Sequence, residues 1–180
     1  MGNIDMPFGL EPYPAIIAPP LDLYVDANAS TIRRGDIVIF ESDGGINLWS
    51  AITQIPFGVS AGYHLTGTAG RLHIYWHPFQ PYIMQEDGDG TTSEQTHAGN
   101  VADPVITHTP NGNQSAFELD ISSVGTTATP GTSKCLRIID LAQGCPHDPD
   151  NAWGAHAKLL VMLAFSQFTY VNTDGYPQGV

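Results

Sequence analysis

Basic residues are scarce in this sequence. Lysine and arginine number six against 18 aspartates and glutamates, a formal net charge of −12. Phosphate binding depends on clustered cationic side chains, and only Arg33 and Arg34 are adjacent, so no nucleic-acid partner is expected. Charge of either sign is thin at 13% of residues, against about 25% in an average chain. A coiled coil, built from Ala, Glu, Lys, Leu and Arg, is therefore excluded. Long apolar runs are also missing. The longest, Leu159 to Phe165, falls short of the ~18 residues that span a bilayer, and no membrane partner is expected. The start, Met1 to Pro7, lacks a basic region followed by an apolar core, so no leader is read there. Synthesis in a cytoplasm is expected. The two cysteines, Cys135 and Cys145, are too few for a disulfide framework and are read as free, half-buried thiols.

Turn formers and apolar residues are plentiful instead. Gly (19) and Pro (14) punctuate a chain that is 42% hydrophobic. Pro7, Pro12, Pro14, Pro19 and Pro20 bar helix and central strand from residues 1–20. That segment reads as an extended arm carrying Phe8, Leu10, Tyr13, Ile16 and Ile17. It docks either on a neighbour or on its own domain. From residue 21, short β-prone runs alternate with turns: 21–25, 37–40, 46–55, 63–65, 71–76, 82–85, 116–121 and 135–141. Leu72, Ile74 and Trp76 share one strand face, as do Phe117, Leu119 and Ile121. Ser42-Asp43-Gly44-Gly45 is a hairpin-type turn. Residues 158–169 suit a helix or a strand, and periodicity does not decide. The expected fold is all-β: one barrel or sandwich domain over 21–171, the arm over 1–20 and a polar tail over 172–180.

No chemical signature stands out. His64, His73 and His77 are close in sequence, but His73 and His77 on one strand would lie about 13 Å apart, too far to share a metal. Asp87-Gly88-Asp89-Gly90 is a fragment of a calcium loop without its later ligands, and a solvated glycine turn accounts for it. There is no nucleophile elbow, triad motif, Walker loop or Rossmann loop. The expectation is no enzyme, no catalytic residue, no cofactor and no metal. Trp49, Trp76 and Trp153 are read first as packing residues. Exposed Trp153 and Tyr63 would carry the alternative function, a carbohydrate- or receptor-binding module.

Several ordered segments resemble a family of tailed-bacteriophage head proteins. These are Pro7-Phe8-Gly9-Leu10-Glu11-Pro12, the run from Tyr82 to Gly90, Phe117-Glu118-Leu119-Asp120 with Ser122-Ser123, the run from Leu136 to Gln143, and Asp150 to Val161. The resemblance covers both ends of the chain and weakens over 42–70. It is similar to capsid decoration, or cement, proteins. It implies a β-rich structural protein of the virion, on the outer face of the capsid and bridging capsomers. The implied partners are the major capsid protein and further copies of itself, a homotrimer ahead of a dimer. It also tips 158–169 toward a strand. The arm residues Phe8, Leu10, Pro12, Tyr13, Ile16 and Ile17 are the expected contacts.

Overall fold

The computed structural model describes residues 3–106, 109–110, 112–130 and 134–167. Among these residues eleven strands form, in this order: β1 (Glu11–Pro12), β2 (Leu21–Val25), β3 (Ile37–Phe40), β4 (Ile46–Leu48), β5 (Gly58–Ser60), β6 (Gly70–Tyr75), β7 (Tyr82–Gln85), β8 (Val101–Ile106), β9 (Phe117–Gly125), β10 (Leu136–Leu141) and β11 (Lys158–Leu163). A short 3-10 turn, Gln95–His97, precedes β8. Among the described residues there is no α-helix. The strands form two antiparallel sheets, ordered β1-β7-β11-β10-β8-β9 and β2-β6-β5-β3-β4. This is a sandwich of open sheets; the barrel alternative is corrected, because neither sheet closes on itself.

Strand alternation distributes the core. Ile37 and Ile39 of β3 face the layer between the sheets, with Val59, Tyr82, Met84, Phe117, Leu119, Ile138 and Val161. Val38 points the other way, into a second cluster with Val25, Ile32, Ile46, Phe57, Leu72 and Ile74. Ile83 likewise leaves the central layer for a third cluster with Phe8, Ala142 and Cys145. β7 is thus covered on both faces, which is why it reads as a continuous apolar run. β11 lies between β7 and β10, so the ambiguous segment is a strand over Lys158–Leu163.

Three differences from the sequence reading have simple causes. β4 stops at Leu48 because Trp49 turns inward and donates from Nε1 to Gln54 O at 3.1 Å. β8 runs through Pro104, beyond the two residues that pair with β10, so the missing N–H breaks no ladder there. Tyr63-His64-Leu65 forms only an isolated bridge, between His64 and Ile32.

Residues 3–20 lie on their own domain. Leu10 is buried in the central core and Phe8 in the third cluster, where the Phe8 ring stacks on His147 at 4.2 Å. Pro12 pairs with Tyr82, and Tyr13 donates to Gln143 O at 2.6 Å. Only Ile16 and Ile17, of the six expected contact residues, are classed as exposed. Phe8 and Leu10 are therefore not available to a partner, a correction to the expected contact set. A tethered apolar segment meets its own sheets at the cost of loop closure alone, whereas a separate partner must also overcome the loss of translational freedom. The expected tail, 172–180, lies outside the described residues.

Candidate functional site

A buried polar cluster sits where β7 ends. Gln85, Glu86, Glu118 and Lys158 are completely buried, and Asp87 is 7% exposed. The turn after β7 is pinned on two sides. Glu86 N donates to Ala157 O at 3.0 Å and Asp87 N to Leu119 O at 3.1 Å. Gln85 organises the centre: its Nε2 donates to Glu118 Oε1 at 2.7 Å and to Asp5 Oδ1 at 2.8 Å, and its Oε1 accepts from Met6 N at 2.8 Å. Lys158 Nζ donates to His156 O at 2.8 Å and to Ile4 O. Ile4 N in turn donates to Asp148 Oδ2 at 2.9 Å, and Asn3 Nδ2 donates to Ala152 O and Ala155 O. Residues 3–6 thus form a strap held over the cluster by polar bonds.

The cluster carries more acid than base. Burial lowers the Lys158 pKa, with Asp148, Cys145, Asp5 and Glu118 opposing that shift. Burial pushes Glu86 up to about 7, against the N–H of Gly88 and with help from Asp87. Asp87 rises to about 6 through burial and the neighbouring Asp89 and Asp120 carboxylates. Glu86 Oε1 and Asp87 Oδ1 are buried without a hydrogen-bond partner. Because both folded pKa values exceed the ordinary ones, the fold binds more protons than the unfolded chain between about pH 4.5 and 7. The stability these groups give is complete below their ordinary range and is lost as pH rises through 6 to 7. Thermal melts should show a falling Tm from pH 5 to 7.5; a Tm that rises over that window refutes the assignment.

Two groups of side chains offer ligand atoms within 4.8 Å of one another: Asp5, Glu118 and His156, and Asp87, Asp89 and Asp120. The first group faces the Lys158 ammonium and the Gln85 amide, which already satisfy it in part. The second has no cation beside it among the described residues. The three histidines weighed in the sequence are not brought together: His64 is buried beside Ile32, while His73 lies exposed on β6, opposite Asp22.

The second feature is an apolar face. Residues 13–19 run alongside 76–81, tied by Tyr13 N to Pro81 O at 3.1 Å, Gln80 Nε2 to Ala15 O at 2.9 Å, Ile17 N to Gln80 Oε1 at 2.8 Å and Trp76 Nε1 to Pro19 O at 3.1 Å. Ile16, Ile17 and Phe79 are left 52%, 51% and 67% exposed. The His77 ring bridges Trp76 and Phe79, 5.9 Å from each.

Other candidates carry less. Trp153 is partly buried against the central core, and exposed Tyr63 lines a shallow depression with Arg34, Asn113 and Gln114. Among the described residues, nothing joins these two into a sugar-stacking platform. Cys135 and Cys145 are free and buried.

Comparison with known proteins gives partial matches. Over 69 residues, 38% of this chain, it is 33% identical to the ribosome biogenesis protein erb1 of Aspergillus clavatus. Over the same length it is 32% identical to the proteins of that name from Neosartorya fischeri and Aspergillus fumigatus. The match spans 8% of each of these relatives. No family profile matches the chain, and no solved structure matches it. These findings overturn the expectation of a capsid decoration protein. The relatives found are named for ribosome biogenesis, not for a virion, so the structural role in a phage head and the place on the outer face of a capsid are both corrected.

The sequence reading missed Gln85, Glu118 and Lys158. Glu118 stands between Phe117 and Leu119 in an alternating strand and reads as outward; it is buried because the strap covers that face. Lys158 opens the most apolar segment, and that position was its only sequence signal. Its partners lie more than 150 residues away at Ile4, and at Asp148.

Proposed function

We propose that this chain is a non-catalytic β-sandwich module that pairs with a second copy of itself through the face made by Ile16, Ile17 and Phe79. The exposure of these three large apolar side chains, on two segments tied together by hydrogen bonds, carries the reading. Charge argues for the occupant. Residues 12–20 and 74–83 contain no Asp, Glu, Lys or Arg. Two copies, each of net charge −12, can meet here without burying like charges, which would be costly elsewhere. A two-fold arrangement sets the same patch against itself, and Phe79 is the aromatic anchor that such an interface needs. The relatives' role in ribosome biogenesis is not carried over, given how little of them the match spans.

Phe79→Asp with Ile17→Asp places two charges on the face without touching the core. Sedimentation equilibrium should show self-association of the parent, with the dissociation constant raised at least about 100-fold in the double variant, as expected for losing hot-spot contacts. Raised salt should leave the parent's association intact or strengthen it, since apolar contact holds the pair. A parent that sediments as a monomer at all concentrations, or a double variant that associates equally well, overturns the reading.

A further inference from the structure

We propose that Asp87, Asp89 and Asp120 form a binding site for a hard divalent cation, with calcium preferred over magnesium. The inference is independent of the self-association reading. In sequence, Asp87-Gly88-Asp89 supplies two alternating carboxylates and no third ligand. The fold supplies the third. The backbone bond from Asp87 to Leu119 sets the turn against β9, and the next residue of β9 is Asp120. Gly88 gives the turn its left-handed backbone, with φ +62°, and a Cβ there would lie 2.3 Å from the His156 ring. A side chain there would be strained and would displace the His156 ring.

The three carboxylates each offer an oxygen, all within 4.8 Å of one another. Calcium accepts irregular sets of carboxylate oxygens, whereas magnesium demands near-octahedral geometry and sheds its water reluctantly, so calcium is the preferred ion. A second observation concerns the Asp87 side chain. Asp87 is 93% buried, and its Oδ1 has no hydrogen-bond partner. A buried carboxylate oxygen left unpaired is costly, and the cost is relieved if a cation occupies the space between the three acids. Asp120 is held ready, its Oδ1 accepting from Ser122 Oγ at 2.6 Å and Ser123 N at 3.1 Å. Asp89 is exposed and leaves an entry path. Among the described residues, no Lys or Arg makes an ion pair with any of the three. The neighbouring Asp89 and Asp120 charges, added to burial, already disfavour ionised Asp87, and a bound cation reverses that balance.

The test uses the full chain, stripped with EDTA and then melted in EDTA, in calcium chloride and in magnesium chloride, with calorimetric titration of calcium alongside. Calcium should raise the Tm by about 4 °C or more, and magnesium by less. Asp120→Asn and the exposed Asp89→Asn should each abolish the calcium-dependent rise. Both variants should melt in EDTA no lower than the parent, since each removes one of three adjoining negative charges and keeps an oxygen acceptor. Identical parent melts in EDTA and calcium, or a full calcium effect surviving in both variants, overturns the site. An equal response to magnesium overturns the preference for calcium.

Discussion

Lys158→Met is expected to destabilise the fold by about 3–5 kcal/mol, the range for removing one partner from a buried charge cluster. Lys158 is completely buried, and methionine preserves most of its apolar stem, so packing alone would change little. What is lost is the ammonium. Glu118, also completely buried, loses with Asp5 and Asp148 the positive charge that Lys158 supplies, and Ile4 O loses its donor. The damage should spread to the strap: the amide of Met6, which donates to Gln85 Oε1, should exchange its hydrogen far faster in the variant. Adding Glu118→Gln keeps an acceptor for Gln85 Nε2 and removes one of the buried carboxylate charges. The double variant should therefore recover much of the loss, giving a large coupling energy in a double-mutant cycle. Urea unfolding measures all three proteins. A single-variant loss below about 1 kcal/mol, or no recovery in the double variant, would show that Lys158 acts only as a filler.

Gly9→Ala should cost about 3–4 kcal/mol, combining left-handed backbone strain with partial loss of a core side chain. Gly9 has φ +71°, and a Cβ there would meet Ser115 Cβ at 2.4 Å and Gly35 O at 2.6 Å. The second contact is backbone, so it has no rotamer through which to escape. Leu10 N donates to that same Gly35 O at 3.0 Å. Any shift that relieves the clash pulls on Leu10, which fills the central core, and on Phe8 in the third cluster. Gly44→Ala is the control. Gly44 has a similar φ of +85° but nothing within 4 Å of its Cβ position, so only the backbone strain of about 1 kcal/mol remains. Equal denaturant midpoints for the two variants would mean that the crossing at Gly9 contributes nothing.

These two sites show how far local pattern reached. The strands over 21–25, 37–40, 71–76, 82–85, 116–121 and 135–141 were legible because alternating or continuous apolar runs between turn residues have few other solutions. β5 was not, since Gly58 closes to within 2.4 Å of Tyr75 O at its Cβ position, and a glycine that marks close packing looks the same in sequence as one that ends a strand. The arm was legible as extended and apolar, but its destination was not. Its prolines fix backbone angles; they carry no information about which surface Phe8 and Leu10 enter.

The polar cluster followed the same division. Asp87-Gly88-Asp89 was visible as an incomplete ligand set. Its completion by Asp120 depends on a bridge between Glu86 and Leu119, across more than 30 residues, and spacing cannot encode such a contact.

The sequence by itself determined an all-β chain, poor in cations, with turns at its prolines and glycines, because those properties depend on residue type and near-neighbour order. Tertiary structure alone decided where its scarce positive charge went. One of only six basic residues, Lys158, is buried under the strap of residues 3–6. That placement becomes favourable only when segments distant in sequence bring Glu118, Asp5 and Asp148 around it, since a buried ammonium is tolerated only where carboxylates and carbonyls replace the water it has lost.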